Sequence, residues 1–186
     1  MSSFNIVEKI DSSLMHISNC LEEPEKLLSA LESKTWKKDL GIDTTIGSFC
    51  MIREPEPEYD QIFDVMRKAA AVFLSNTDRD ISDYAEKYTF HRVVRWEKES
   101  STLVQHLDRW VTKGEQITPE ITLVMYLTDD YEGGEVYFSS FDKKIKPSAG
   151  DILAFNSNTL HGTEPYLGGR RMTIQFFLFK KQPDNA

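Results

Sequence analysis

Apolar positions in this chain follow two rhythms, and the change falls near residue 88. In LEEPEKLLSALES, residues 21 to 33, Pro24 suits a first helical turn and Leu27, Leu28 and Leu31 then share one face, which predicts a short amphipathic helix. Between Pro57 and Thr77 the residues Tyr59, Ile62, Phe63, Met66, Ala70, Phe73 and Leu74 keep the helical period, predicting a second helix whose stripe is core. Residues 34 to 57 show no comparable pattern. The acid-rich DRDISDYAEK, residues 78 to 87, reads as solvated helix or loop without the spacing of a calcium-binding EF-hand.

From residue 88 onward the period becomes alternation. The runs YTFHRVVRW, STLVQHLDRW, EITLVMYLT, GEVYFSSF, GDILAFN and RMTIQFFLFK are rich in β-formers and separated by turn signals, so each predicts a strand. Too little sequence lies between them for crossover helices, which implies antiparallel pairing in a sandwich or barrel. With helices covering one face of that sheet, the expected class is α+β: a single domain over 1–186, helix-rich across 1–87 and with its barrel core in 88–180.

Alternation also assigns faces. In residues 121 to 127, Ile121, Leu123, Met125 and Leu127 form an apolar face, with Thr122, Val124 and Tyr126 on the other. In the last run Met172, Ile174, Phe176 and Leu178 oppose Arg171, Thr173 and Gln175. Two strands thus offer a polar face suited to a small anion. Within VQHLDRW, His106 and Asp108 are expected to point the same way, with Cα atoms about 6.5–7 Å apart.

Composition narrows the partners. At 186 residues the chain can bury a core without disulfides, and Cys20 and Cys50, which lack any ligand spacing, read as small buried hydrophobes. A formal charge of −8 disfavours nucleic acid and anionic lipid, both bound mainly through clustered Lys and Arg. No apolar run is long enough to cross a bilayer, and MSSFNIVEKIDSSLMHIS resembles neither a signal nor a transit peptide, so a cytoplasmic protein with no membrane partner is expected. Oligomeric state is not specified.

A His-x-Asp alone is weak, arising by chance in about one such sequence in four. Its candidate third partner is His161, in the Gly-flanked region of GDILAFNSNTLHGTEP. Two imidazoles and one carboxylate make the facial triad of non-haem Fe(II), with the opposite face open; zinc is the rival metal but would also want a general base beside it. His16 and His91 have no such partners and read as structural. Arg109, Trp110 and Lys113, in and beside the loop that follows, are candidate substrate contacts set against an ordinary mobile loop.

The chain resembles the 2-oxoglutarate and Fe(II)-dependent dioxygenases of the prolyl 4-hydroxylase type. LMHISNCLEEPEKLLSAL is similar to the family's opening strand and helix, and RVVRWEKESSTLVQHLD, EITLVMYLTDDYEGGEVYF, KPSAGDILAFNSNTLHG and GGRRMTIQFFLF continue the likeness across about residues 14 to 180, weakest between 34 and 87. The resemblance implies a double-stranded β-helix, a jelly-roll or cupin-like barrel with the metal near one mouth. It matches His106, Asp108 and His161 to the iron ligands and Arg171 to the basic residue that pairs with the far carboxylate of 2-oxoglutarate. The strand faces independently select Arg171 over Arg170, and a guanidinium grips a carboxylate through paired hydrogen bonds. Tyr126 would add a hydroxyl, and Thr173 shares the face. Where relatives usually carry tyrosine, this chain has Trp96, which can contribute packing or an indole N–H but no phenol.

The implied chemistry consumes 2-oxoglutarate and dioxygen, releases succinate and carbon dioxide, and hydroxylates an unactivated C–H bond, with ascorbate a candidate reductant. Asp108 favours hydroxylation, since related halogenating enzymes lack that carboxylate. Nucleic-acid demethylases of the superfamily carry a second Arg six residues after the first, where this chain has Phe177. Peptidyl-proline is therefore the expected substrate, a free amino acid or other small molecule the alternative. A non-catalytic metal-binding cupin-like domain is the rival class, although it would have no need of a carboxylate clamp.

Overall fold

The computed structural model describes residues 4–38, 47–53, 56–86, 90–97, 99 and 101–181. In the first half lie β1 (Asn5–Asp11), β2 (Leu14–Ser18), α1 (Pro24–Glu32), β3 (Lys37–Lys38), β4 (Gly47–Arg53), α2 (Asp60–Ser75) and β5 (Tyr84–Glu86). The second half holds β6 (Phe90–Trp96), β7 (Trp110–Thr112), β8 (Glu115–Ile117), β9 (Ile121–Tyr126), β10 (Tyr131–Gly133), β11 (Val136–Phe138), β12 (Lys143–Ile145), β13 (Ile152–Asn156), β14 (His161–Thr163), β15 (Tyr166–Gly169) and β16 (Arg171–Lys180).

One antiparallel sheet runs β1-β2-β13-β9-β16-β6-β4-β3, with β5 also paired to β16. Its outer face carries the helices. Leu27, Leu28 and Leu31 of α1 and Ile62, Phe63, Met66, Ala70, Phe73 and Leu74 of α2 pack in one cluster with Ile121, Leu123, Met125, Ile174 and Phe176. Over the inner face lie two smaller sheets, β12-β11-β14 and β10-β15. Val136, Phe138 and Ile145 of the first meet Leu14, Tyr126, Leu153 and Phe155, while Tyr131 and Tyr166 of the second meet Val94 and Trp96. Two facing antiparallel layers, with helices outside, make the double-stranded β-helix.

Both predicted helices are present, and the second opens with a 3-10 turn at Pro57–Tyr59. The first half nevertheless contributes five strands where helices were expected to dominate. In β4 the half-buried Phe49 and Met51 and the buried Cys50 and Ile52 are apolar on both faces, and β2 places Leu14 inward and Met15 and Ile17 outward. A strand covered on both sides shows no polar alternation, so neither announces itself. Residues 88 and 89 of the first predicted run, and most of the patternless 34–57 stretch's centre at 39–46, lie outside the described residues.

The remaining histidines and cysteines serve the scaffold. His16 Nε2 lies 2.8 Å from Asp151 Oδ2, and His91 stacks on Phe176 with ring centroids 4.7 Å apart. Cys20 and Cys50 are buried free thiols, pushed up by burial to about 12 and about 11. Packing of α2 on the sheet sets a stability test. Phe73→Ala, at a fully buried position, should cost about 3–5 kcal/mol in denaturant unfolding, whereas Asp64→Ala on the exposed side of the same helix should stay within about 0.5 kcal/mol; equal effects would contradict this packing.

Candidate active site

Residues 101–109, predicted as a strand, are irregular apart from one antiparallel bridge between His106 and His161. The segment is fastened to β14 and its flanks instead. Thr163 N donates to Leu103 O at 2.9 Å, and Leu103 N to Thr163 Oγ1 at 2.8 Å. His106 N donates to His161 O at 2.8 Å, and His161 N to His106 O at 3.1 Å. Asp108 N then donates to Ser157 O at 3.0 Å. Gly162 permits the close approach, because a Cβ there would stand 2.6 Å from Leu103 O.

This fastening brings the three sequence-predicted candidates together. Their ligand atoms lie within 4.8 Å of one another, with His106 Nε2 3.6 Å from Asp108 Oδ1 and His161 Nε2 3.8 Å from Asp108 Oδ2. Each imidazole is oriented by the carbonyl two residues before it: Nδ1 of His106 donates to Val104 O and Nδ1 of His161 to Thr159 O, both at 2.9 Å. An Nδ1–H so committed leaves the Nε2 lone pair for a metal. Burial lowers the His161 imidazole below its ordinary value, with Asp108 opposing and His106 adding, which favours the neutral form that a ligand needs. Phe138 and Phe155 wall its ring.

Asp108 is held as firmly. Thr122 Oγ1 donates to Asp108 Oδ2 at 2.6 Å and lies 2.8 Å from Ser157 Oγ. Burial pushes the Asp108 carboxyl up, but His106, His161 and the Thr122 hydroxyl together outweigh it, and the group titrates below its ordinary value. Thr122 and Ser157 were not singled out from sequence; the one available signal was the inward face of Thr122 in an alternating strand.

Farther along the inner face, Arg171 is 3 % exposed, and its guanidinium carbon lies 4.5 Å from the Trp96 ring, 5.4 Å from Tyr126 and 5.7 Å from Tyr131. Its Nε is buried without a hydrogen-bond partner. Arg170 points outward, half-exposed, toward Asp130. Tyr126 is buried, and burial drives its phenol far up against the pull of Arg171. Thr173, also buried, pairs with Tyr126 and Val94 across the sheet and so shares their inner face. Trp96 is both wall and core, buried beneath the guanidinium.

The rim differs from expectation. VTKGEQ is not an irregular loop but the hairpin β7–β8, turning at Lys113 and Gly114, both with positive φ, as a two-residue hairpin turn requires. Arg109 and Lys113 are exposed, while half-buried Trp110 packs on Phe177 with ring centroids 5.1 Å apart. Phe177 lies opposite Thr122 in register, one strand from the side chain that holds Asp108.

The donor set of two imidazoles and one carboxylate suits Fe(II), and the partnerless Nε of a buried guanidinium suits an anion. Among the described residues no other group of His, Cys, Asp or Glu gathers closely enough to hold a metal ion.

Comparison with known proteins bears on the family and the fold. The 2OG-Fe(II) oxygenase superfamily model matches residues 88–179, about half of the chain. A PKHD-type hydroxylase of Stenotrophomonas maltophilia (strain R551-3) is 32% identical over 72 residues, covering 37% of this chain and 32% of the relative. The match therefore spans about a third of the length of such curated relatives. The 2OG complex of the viral collagen prolyl hydroxylase from Paramecium Bursaria Chlorella virus-1 superposes with a TM-score of 0.69 at 20% identity, covering 91% of this chain and 97% of the other. A Pseudomonas putida prolyl-4-hydroxylase gives 0.66 at 16% identity, over 91% and 94% of the two chains. At those identities the likeness to solved structures establishes the fold, and the family model carries the assignment: the chain belongs to the 2OG-Fe(II) oxygenase superfamily.

Proposed function

We propose that residues 1–186 act as one oxygenase domain that uses Fe(II), 2-oxoglutarate and dioxygen to hydroxylate an unactivated C–H bond, with a prolyl residue of a peptide as the substrate. The observation carrying this reading is the pairing, inside one barrel, of three metal-ligating side chains with a buried arginine whose Nε has no partner. A plain metal-binding domain has no use for the second feature.

When bound, the metal and cosubstrate supply oxidative decarboxylation, giving succinate, carbon dioxide and the oxygen atom that enters the C–H bond. His106, Asp108 and His161 would hold the metal on one side only. Arg171 would take the far carboxylate of 2-oxoglutarate, with Tyr126 and Thr173 beside it and Trp96 under the guanidinium. Burial of these groups excludes water and strengthens each charge interaction. The Thr122 hydroxyl fixes the Asp108 carboxylate through Oδ2, and Oδ1 faces His106 Nε2.

A prolyl peptide is supported by the mouth of the site. Phe177 and Trp110 present partly exposed rings there, and Val104, Val111 and Leu160, near the same ligands and hairpin, are exposed apolar side chains. Proline-rich segments are preformed and extended, so an aromatic-lined mouth receives them at low entropic cost. Similar solved structures include a prolyl hydroxylase from Trichoplax adhaerens in complex with a hypoxia inducible factor oxygen degradation domain peptide fragment.

Three measurements test these assignments. Anaerobic protein with Fe(II) should bind 2-oxoglutarate and, once aerated, slowly release succinate; a His106→Ala protein with the same output as wild type would end the oxygenase reading. Thr122→Val should weaken Fe(II) binding about 10- to 100-fold in competition with a colorimetric chelator; unchanged affinity would show that Thr122 does not orient Asp108. Incubation with proline-rich peptides should add one oxygen by mass spectrometry. Oxygen gained by free amino acids and by no prolyl peptide would transfer the assignment to a small-molecule hydroxylase.

A further inference from the structure

Two buried side-chain polar atoms in neighbouring residues lack hydrogen-bond partners, Arg171 Nε and the Tyr131 hydroxyl, the guanidinium carbon lying 5.7 Å from the Tyr131 ring. Both residues are 3 % exposed, so neither atom is compensated by bulk water. An unsatisfied buried polar group is costly, and two on residues in contact call for a partner that the chain itself does not supply. An arginine only donates, so its partner must accept. Tyr131 can donate to the same acceptor. Burial pushes the Tyr131 phenol up, with Arg171 pulling against it, so at neutral pH it keeps its proton.

The surrounding chain holds this pair in place. Tyr131 opens β10, its ring 5.7 Å from the Arg171 guanidinium carbon and 4.7 Å from Lys146 Nζ. The Lys146 ammonium also donates to Tyr131 O at 2.5 Å, tying down backbone and ring together. Gly134, at φ +65°, lies against both residues: a Cβ there would stand 3.2 Å from Arg171 Cδ and 3.8 Å from Tyr131 Cε2. A side chain at 134 would therefore crowd the arginine while standing in ordinary contact with the tyrosine ring. The third tyrosine of the cluster differs, since the Tyr166 hydroxyl is already spent on Gly169 O at 2.5 Å.

We infer that Tyr131 is a cosubstrate-positioning residue, its hydroxyl donating to the same far carboxylate of 2-oxoglutarate that Arg171 holds. This rests on the 2-oxoglutarate reading of the site and adds to it a residue from β10, outside the strands that carry the metal ligands and Arg171.

Anaerobic calorimetric titration of the full chain loaded with Fe(II) tests the assignment. Tyr131→Phe keeps the ring and removes only the hydroxyl; it should weaken 2-oxoglutarate binding about tenfold or more, as loss of a hydrogen bond to a charged group does. Tyr166→Phe should bind 2-oxoglutarate as wild type does. Pyruvate, a 2-oxo acid with no far carboxylate, should bind Tyr131→Phe and wild type alike. If Tyr131→Phe takes 2-oxoglutarate as tightly as wild type, or loses pyruvate in the same proportion, the Tyr131 assignment is wrong while the proposed function stands. If wild type takes up no 2-oxoglutarate, it is the proposed function that fails.

Discussion

The paired backbone hydrogen bonds between His106 and His161 are the constraint on which the site depends. They join an irregular segment to a three-residue strand, and set the spacing of the two imidazoles before any side chain is considered. Each ring is then turned by a carbonyl two residues upstream, Val104 O for one and Thr159 O for the other. Position and tautomer are thus both written into the backbone. The carboxylate is added by extending the same tie one step, through Asp108 N to Ser157 O, and by the Thr122 hydroxyl from the neighbouring strand. A metal arriving at such a set meets ligands already oriented, so little ordering entropy remains to oppose binding.

The frame that makes this possible is β16. It pairs with β9 and β6 along most of its length and with β5 at its end, so its register is fixed from both sides. Met172, Ile174, Phe176 and Leu178 are drawn into the cluster beneath the helices, which sends Arg171, Thr173, Gln175 and Phe177 into the barrel. A slip of one residue would put Arg171 against α2 and Met172 in the pocket, and burial of the outer face forbids it. Hydrophobic packing on one side of the sheet therefore decides which side chains face the barrel interior on the other.

That coupling explains what could be read from sequence. The faces of β9 and β16 were legible because one side is uniformly apolar, and from them followed the inward direction of Tyr126, Arg171 and Thr173. The α1 and α2 stripes were legible for the same reason. β2 and β4 left no alternation to read, being apolar on both faces, and β2 was placed only by the family resemblance of LMHIS. The convergence of His106 and Asp108 was expected for the wrong reason: strand periodicity would place them side by side, whereas the bridge to His161 and the tie to Ser157 do so in an irregular segment. Long-range backbone pairing of that kind leaves no local periodicity. Nor does the position of Tyr131, which depends on how β10 folds over the inner face and not on any pattern within it.

Burial of Arg171 sets what its surroundings would accept. Desolvating a guanidinium that has no carboxylate partner costs several kcal/mol, and a ring beneath it returns only about 0.5–2 kcal/mol. With Trp96, Tyr126 and Tyr131 all around it and Nε still unpartnered, the protein holds a positive charge that aromatic faces alone do not satisfy. An anion entering this end is stabilised by a desolvated cation in a low-dielectric wall, where charge interactions are much stronger than in water. A neutral molecule of the same shape would leave the cation as it was and gain nothing. A lysine in place of Arg171 would keep the charge but lose the planar face that lies over Trp96 and the fixed fork of donors, so the aromatic surround and the choice of arginine belong to one solution.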